Sequence, residues 1–245
     1  MSPMMVFAYL AIALLFALIF TVEVIAPASK SHCDRRWMIL AGSLNIVQAA
    51  AALATGHLFG DWFSRHALLS LADRIDPVTG GVLTFLLASL IAYGWHRAAH
   101  RVPFLWRTFH QIHHSPRRIE SLTAFFAHPL DAVAATFITC LSAYWLLGLT
   151  PLSAIVALLL VSAFNLYIHS DTRSPRWIGW FVQRPEMHRV HHQAGHHADN
   201  YGLPLWDLLF GTWKNPRERV RDCGFDAERE RRIYDMLLMR DVHAD

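Results

Sequence analysis

Residues 96–114 read HRAAHRVPFLWRTFHQIHH, and five of these nineteen positions are histidine: 96, 100, 110, 113 and 114. On a helix, His96 and His100 stand four apart and share a face, and His110, His113 and His114 fall at i, i+3 and i+4. Two facing helical turns would therefore aim five imidazoles at one point. A third cluster, HRVHH, repeats the second spacing at His188, His191 and His192. The decisive question is what surrounds these boxes.

The surroundings are apolar. Hydrophobic residues make up 54% of the 245 and charged residues 17%, with a mean hydropathy of +0.27. Soluble domains carry about 25% charged residues, so the composition points to a membrane protein. A formal charge of +3 is too small to argue for a nucleic-acid partner. Cys33, Cys140 and Cys223 are odd in number and far apart, which gives neither a disulfide framework nor a thiolate metal site. Cys140, inside an apolar run, reads as a small hydrophobe.

Taken in order, the chain predicts an all-α polytopic transmembrane bundle of four to five spans with a His-rich helical cytosolic cap, as one integral-membrane domain over 1–245. The spans are expected at about 4–26, 37–56, 80–97, 130–148 and 152–169. The first lacks a basic leader and is too long for a signal peptide, which favours an uncleaved helix. Residues 57–78 mix aromatic and leucine side chains with Asp61, Arg65, Asp73, Arg74 and Asp76, the pattern of a helix lying in the interface. Leu149-Thr150-Pro151 joins the last two spans as a hairpin. The arginine-rich tail 217–232 suggests a solvated helix. Lys30, Arg35 and Arg36, then Arg97, Arg101, Arg107, Arg117 and Arg118, place 28–36, 97–127 and 170–245 on the cytoplasmic side by the positive-inside rule. All three His clusters, in the regions 96–128 and 170–245, then share that side.

Isolated histidines such as His32, His57, His66 and His243 are ordinary surface or satisfied residues. The clusters are different. Closely packed imidazoles repel when protonated, and buried neutral ones need partners for both nitrogens. A bound metal answers both needs. His96, His100, His110, His113, His114, His188, His191 and His192 supply eight ligands, enough for two ions, and His169 at the end of the fifth run is a ninth candidate. Imidazole sites with open positions suit zinc, copper or iron, and spacing does not choose among them.

HRAAH, HQIHH, NLYIH and HRVHH, followed by DNYG at 199–202 and WDLLFGTW at 206–213, resemble the fatty acid hydroxylase and sterol desaturase superfamily over about residues 80–213. The resemblance implies two non-haem iron ions, with zinc an alternative occupant in purified protein, and dioxygen as co-substrate. It implies an oxidoreductase that hydroxylates or desaturates a lipid acyl chain or a sterol, in a bacterial inner membrane or the endoplasmic reticulum. Asn165 stands where some members carry histidine, which makes it a supporting residue. His128 and Asp131 in HPLD could support the ligands or start a helix. His196 and His197 suggest a support or entrance role. Asn200, with Tyr201 and Gly202, reads most simply as a turn.

No GxGxxG and no iron–sulfur cysteine spacing is present, so the two electrons require a separate ferredoxin or small haem cytochrome with its reductase; the basic tail could dock an acidic donor. The substrate partner is a lipid in the bilayer. A related di-iron enzyme acting on carotenoids, alkyl glycerol ethers or alkanes is the nearest alternative. A metal-binding or transport protein is disfavoured because transporters place ligands along the middle of spans. A zinc hydrolase is disfavoured because eight or nine imidazoles exceed what an open catalytic zinc uses.

Overall fold

The computed structural model describes residues 3–29, 34–196 and 198–244. Lys30, Ser31, His32, Cys33 and His197 lie outside these described residues. Among the described residues, five helices are long and apolar enough to cross a membrane: α1 (Pro3–Ile25), α2 (Arg35–Arg65), α3 (Pro77–Ala99), α4 (Pro129–Cys140, continued by the π-helical turns Leu141–Leu146) and α5 (Pro151–His169). No strand is present among the described residues, and the helical fold with a His-rich end agrees with the sequence.

Local chemistry explains where the helices begin. Asp34 caps α2 by accepting from the Trp37 amide, and Asp76 caps α3 through Val78 and Thr79. His128 and Thr150 do the same for α4 and α5. Prolines 77, 129 and 151 follow three of these caps, where a missing N–H costs nothing. Outward-facing Phe7, Leu10, Leu14, Leu18 and Val22 form a stripe along α1, suited to lipid contact.

The bundle packs α3 on α5, α2 on α4 and α1 on α5. Gly80 and Gly81 allow the closest approach: a Cβ on them would lie 2.6 Å from Ser153 Oγ and 2.4 Å from Val156 Cβ. Small residues at such a contact let two backbones approach.

Two sequence expectations need correction. Residues 57–65 are not a separate interfacial helix; α2 runs unbroken to Arg65. Phe59 and Phe63 explain this, because both pack edge-on against Phe137 of α4. Residues 66–76 then form an irregular segment tied to the end of α4, with the Leu68 amide donating to Trp145 O at 2.7 Å. The tail is not a helix over 217–228 either. Gly224 has φ +75 and lies so close to Pro116 O that a Cβ would sit 2.2 Å away. Phe225 is thereby buried with Ile112, Phe126, Met236 and Val242 against the start of α2.

The tail thus closes the cap. Gln111 donates to Arg240 O and accepts from the Val242 amide. On the other flank, buried Glu23 at the end of α1 accepts from Ser121 N and Oγ and from Asp171 N. The ends of α1, α3 and α5 and the starts of α2 and α4 meet at this cap, so all the His boxes lie at one end of the bundle.

Candidate metal centre

α3 carries His96, and His100 caps its C-terminus. The π-helical turn Trp106–His110 runs into the short helix Gln111–His114. This widened turn sets His110 off from the residues that follow, and such turns recur at functional sites. α5 ends on His169, and α6 (Pro185–His191) brings in the last box.

All nine expected histidines converge, in two groups. His96, His100, His110, His114 and His191 form one; His113, His169, His188 and His192 form the other. Within each group the ligating nitrogens lie within 4.8 Å of one another. Each HxxHH box is split between them: its i and i+4 residues or its lone i+3 residue go to opposite groups.

Hydrogen bonds fix the tautomers. Nδ1 of His96 donates to Tyr201 O at 2.6 Å, that of His169 to Asn165 O at 2.8 Å, and that of His191 to Asp199 O at 2.8 Å. His188 Nδ1 donates to Gln183 Oε1 at 2.9 Å, while Gln183 Nε2 donates to Asn200 O. Carbonyl oxygens only accept, so each of these Nε2 atoms presents a lone pair. Yet Nε2 atoms face each other at 2.9 Å for His188–His169 and at 3.0 Å for His114–His191. His96 Nε2 and His192 Nδ1 are buried without a protein partner.

Converging lone pairs are held together by a cation. With metal–nitrogen bonds of ~2.1 Å, ligands at right angles about one ion stand roughly 3.0 Å apart, as these do. The donor set therefore fits one ion in each group. Burial, reinforced by neighbouring imidazoles, holds His110, His113, His114, His188, His191 and His192 well below the usual histidine value, the neutral form that binds metal.

The supporting residues divide as follows. Asn165 acts through its backbone carbonyl, while its side chain donates to Val161 O. His128 caps α4 and contacts Leu237 O at 3.2 Å, away from both groups, which makes its role structural. Asp131 lines the cavity below the histidines. His196 bonds Asp199, whose carbonyl orients His191. Asn200 does more than turn the chain: fully buried at φ +48, it donates to Met187 O and Lys214 O and accepts from Lys214 N.

Two contributors escaped the sequence. Gln183 orients His188. Asp207, at the heart of WDLLFGT, accepts from Tyr201 N, Gly202 N and Thr212 Oγ1 and so fixes the peptide whose carbonyl holds His96. Burial pushes its carboxyl up to about 6 against those three donors.

Below the histidines opens a cavity of about 1520 Å³, lined by α1 to α5 and reaching His96, His110, His113, His169 and His188. That exceeds the ~300–1,000 Å³ of ordinary small-molecule sites.

Residues 81–212 match the family model described as fatty acid hydroxylase. The chain is 34% identical over 155 residues to ornithine lipid hydroxylase OlsE of Rhizobium tropici, covering 60% of this chain and 46% of that protein. It is 28% identical to alkylglycerol monooxygenase of Xenopus tropicalis, over 56% of this chain and 31% of that protein. It is 27% identical to a cholesterol 25-hydroxylase-like protein of Danio rerio, over 52% of each. The chain thus matches about half or less of the length of these relatives. No solved structure matches.

Proposed function

Because the chain belongs to the fatty acid hydroxylase family, we propose that it is an integral-membrane lipid hydroxylase whose nine histidines hold two iron ions. The observation that carries this reading is the convergence of histidines with fixed tautomers on two adjacent points, at the head of a lipid-sized apolar cavity. The relatives' names support hydroxylation over desaturation.

Iron bound here would supply dioxygen activation and attack on an unactivated C–H bond. The overall change is RH + O2 + 2 electrons + 2 protons to ROH + H2O, the electrons arriving from a separate ferredoxin or haem cytochrome. The chain's own part is to bind and orient. The nine imidazoles are the ligands, and the carbonyls of Asn165, Asp199 and Tyr201 with Gln183 Oε1 lock four of them in register. The cavity excludes water and aligns the chain of the substrate beneath them. Asp207 and Asn200 keep the 199–202 turn rigid. The clustering of Arg35, Arg36, Arg97, Arg101 and Arg107 at the cap end supports a cytoplasmic centre.

The test is lipid-dependent oxygen consumption by iron-loaded protein in lipid-free detergent micelles with a ferredoxin reductant. Wild type consumes oxygen only when lipid is present; His191→Ala does not. Equal consumption by both would overturn the reading.

A further inference from the structure

Leu205, Leu208, Leu209 and Phe210 are 53%, 44%, 67% and 46% exposed, although they belong to the cap, which the charge of 170–245 places in water. They sit on α7 (Pro204–Leu209) and its C-cap. Large apolar side chains grouped this way form a patch that soluble surfaces avoid. What covers them follows from where α7 lies.

α7 is fastened to the side of a membrane helix. The Trp206 indole N–H donates to Ser89 Oγ at 2.8 Å, and Phe210 stacks on Tyr93 at 5.1 Å; Ser89 and Tyr93 both belong to α3. The helices give the level of that contact. α5 has 19 residues, about 28 Å at ~1.5 Å each, so all of it is needed to cross the ~30 Å of hydrocarbon. Its last residue, His169, therefore marks the cap-side boundary, and His96 joins the paired histidine groups at that level. Ser89 precedes His96 by seven residues of α3, which puts it about 10 Å further in.

The hydrogen bonding suits such a place. Inside hydrocarbon, backbone polar groups must be satisfied by the protein itself. The amides of Trp206 and Asp207 donate to Leu203 O, that of Phe210 to Trp206 O and that of Thr212 to Asp207 O. The amides of Tyr201 and Gly202 and the Thr212 hydroxyl donate to the buried Asp207 carboxylate. Polar atoms turn inward while the leucines turn outward.

Aromatic side chains flank the patch. The 3-10 turn Arg176–Trp180 exposes Trp177 and Trp180, and Phe181 follows, also exposed. Trp213 ties this turn to the chain after α7, donating to Gly179 O at 3.0 Å with its ring 4.4 Å from Trp180. Arg173 and Arg176 are exposed beside it. Tryptophan with arginine is the composition of the head-group level.

We propose that α7 re-enters the membrane: residues 204–210 are immersed in the acyl chains of the cap-side leaflet, with Trp177, Trp180 and Phe181 at its head groups. A soluble partner does not reach a surface fastened that far below the boundary, whereas acyl chains already lie along α3, where Val82 and Leu83 are exposed. Gly202 and Leu203, immediately before α7, line the cavity. The leaflet therefore presses on one side of a wall whose other side faces the cavity. The proposal does not depend on the reaction run at the histidines.

Two measurements on the full chain in phosphatidylcholine–phosphatidylglycerol nanodiscs test it. First, the unsubstituted chain is photolabelled by phosphatidylcholine carrying a mid-chain diazirine. Peptide mass spectrometry is expected to find adducts on 205–210 as well as on Leu10, Leu14 and Leu18 of α1. Second, a spin label is placed on Leu209→Cys in a chain also carrying Cys33→Ala, Cys140→Ala and Cys223→Ala. It is expected to collide with dioxygen severalfold more than with a water-soluble nickel chelate, as a label on Leu14→Cys does. Absence of adducts from 205–210 overturns the proposal. So does a Leu209→Cys label reached mainly by the chelate, which puts α7 in water, or one shielded from both agents, which means that protein such as a second copy covers it.

Discussion

His188 Nε2 and His169 Nε2 stand 2.9 Å apart although both rings have spent their N–H on acceptors, Gln183 Oε1 and Asn165 O. Neither can donate to the other. The contact is therefore two facing lone pairs rather than a hydrogen bond, the arrangement a bound cation satisfies, and in the other group His96 and His191 likewise give their Nδ1–H to backbone carbonyls.

The second layer is the first place to test this. Gln183→Leu keeps the volume but removes the acceptor that sets the His188 tautomer. Metal affinity is expected to fall roughly 10–100-fold, read by competition with a chelator, while thermal stability of the metal-free protein changes far less. An unchanged affinity would mean that His188 is not a ligand.

The six histidines of the cap whose values are depressed from 6.5 give the metal-free protein a defined acid response. Their folded-state values lie below the unfolded one, so below about pH 6.5 the unfolded chain binds protons that the native chain refuses. Stability is level above that pH and declines as pH falls through it. Metal should raise the melting temperature most near neutrality and lose that effect on acidification, since protons compete for the same nitrogens. Melting curves from pH 8 to 5 with and without ferrous ion check both; a flat profile in the metal-free protein contradicts the buried, neutral cluster.

Asn200→Ala should destabilise by about 3 kcal/mol, because Met187 O, Lys214 O and Lys214 N lose their partner in a fully buried place. Asn200→Gly accommodates the positive φ yet loses the same bonds, so it should be nearly as damaging. If Gly proves harmless, backbone geometry and not the amide is what this position supplies.

Gly224→Ala puts a Cβ 2.2 Å from Pro116 O at φ +75. The tail should come away from Ile112 and Phe126, exposing residues 217–244 to protease while the membrane helices stay intact. Resistance equal to wild type would contradict the docked tail.

Much of this was legible in the sequence, for identifiable reasons. Nine ligands could be picked out because helical spacing puts His96 with His100 and His110 with His114 on common faces. Their division was not, since i+3 and i+4 neighbours look equivalent on one face, and only the approach of α5 and α6 sends His113 and His191 to opposite groups. Gln183 and Asp207 carry no periodic signal; each is a single polar residue whose value lies in a partner far along the chain. The tail misled because its charges suit a solvated helix, while the one left-handed glycine and Phe225 decide otherwise. In α2, the charges of Asp61 and Arg65 among aromatic side chains suggested a separate interfacial helix, but Phe59 and Phe63 carry α2 onward against Phe137.

The most direct measurement is untargeted lipid mass spectrometry on cells expressing wild type or His191→Ala, grown under 18O-labelled dioxygen. The account predicts a lipid that gains one labelled oxygen only with the intact centre. No labelled product from wild type, with iron bound and a working electron donor present, would contradict it.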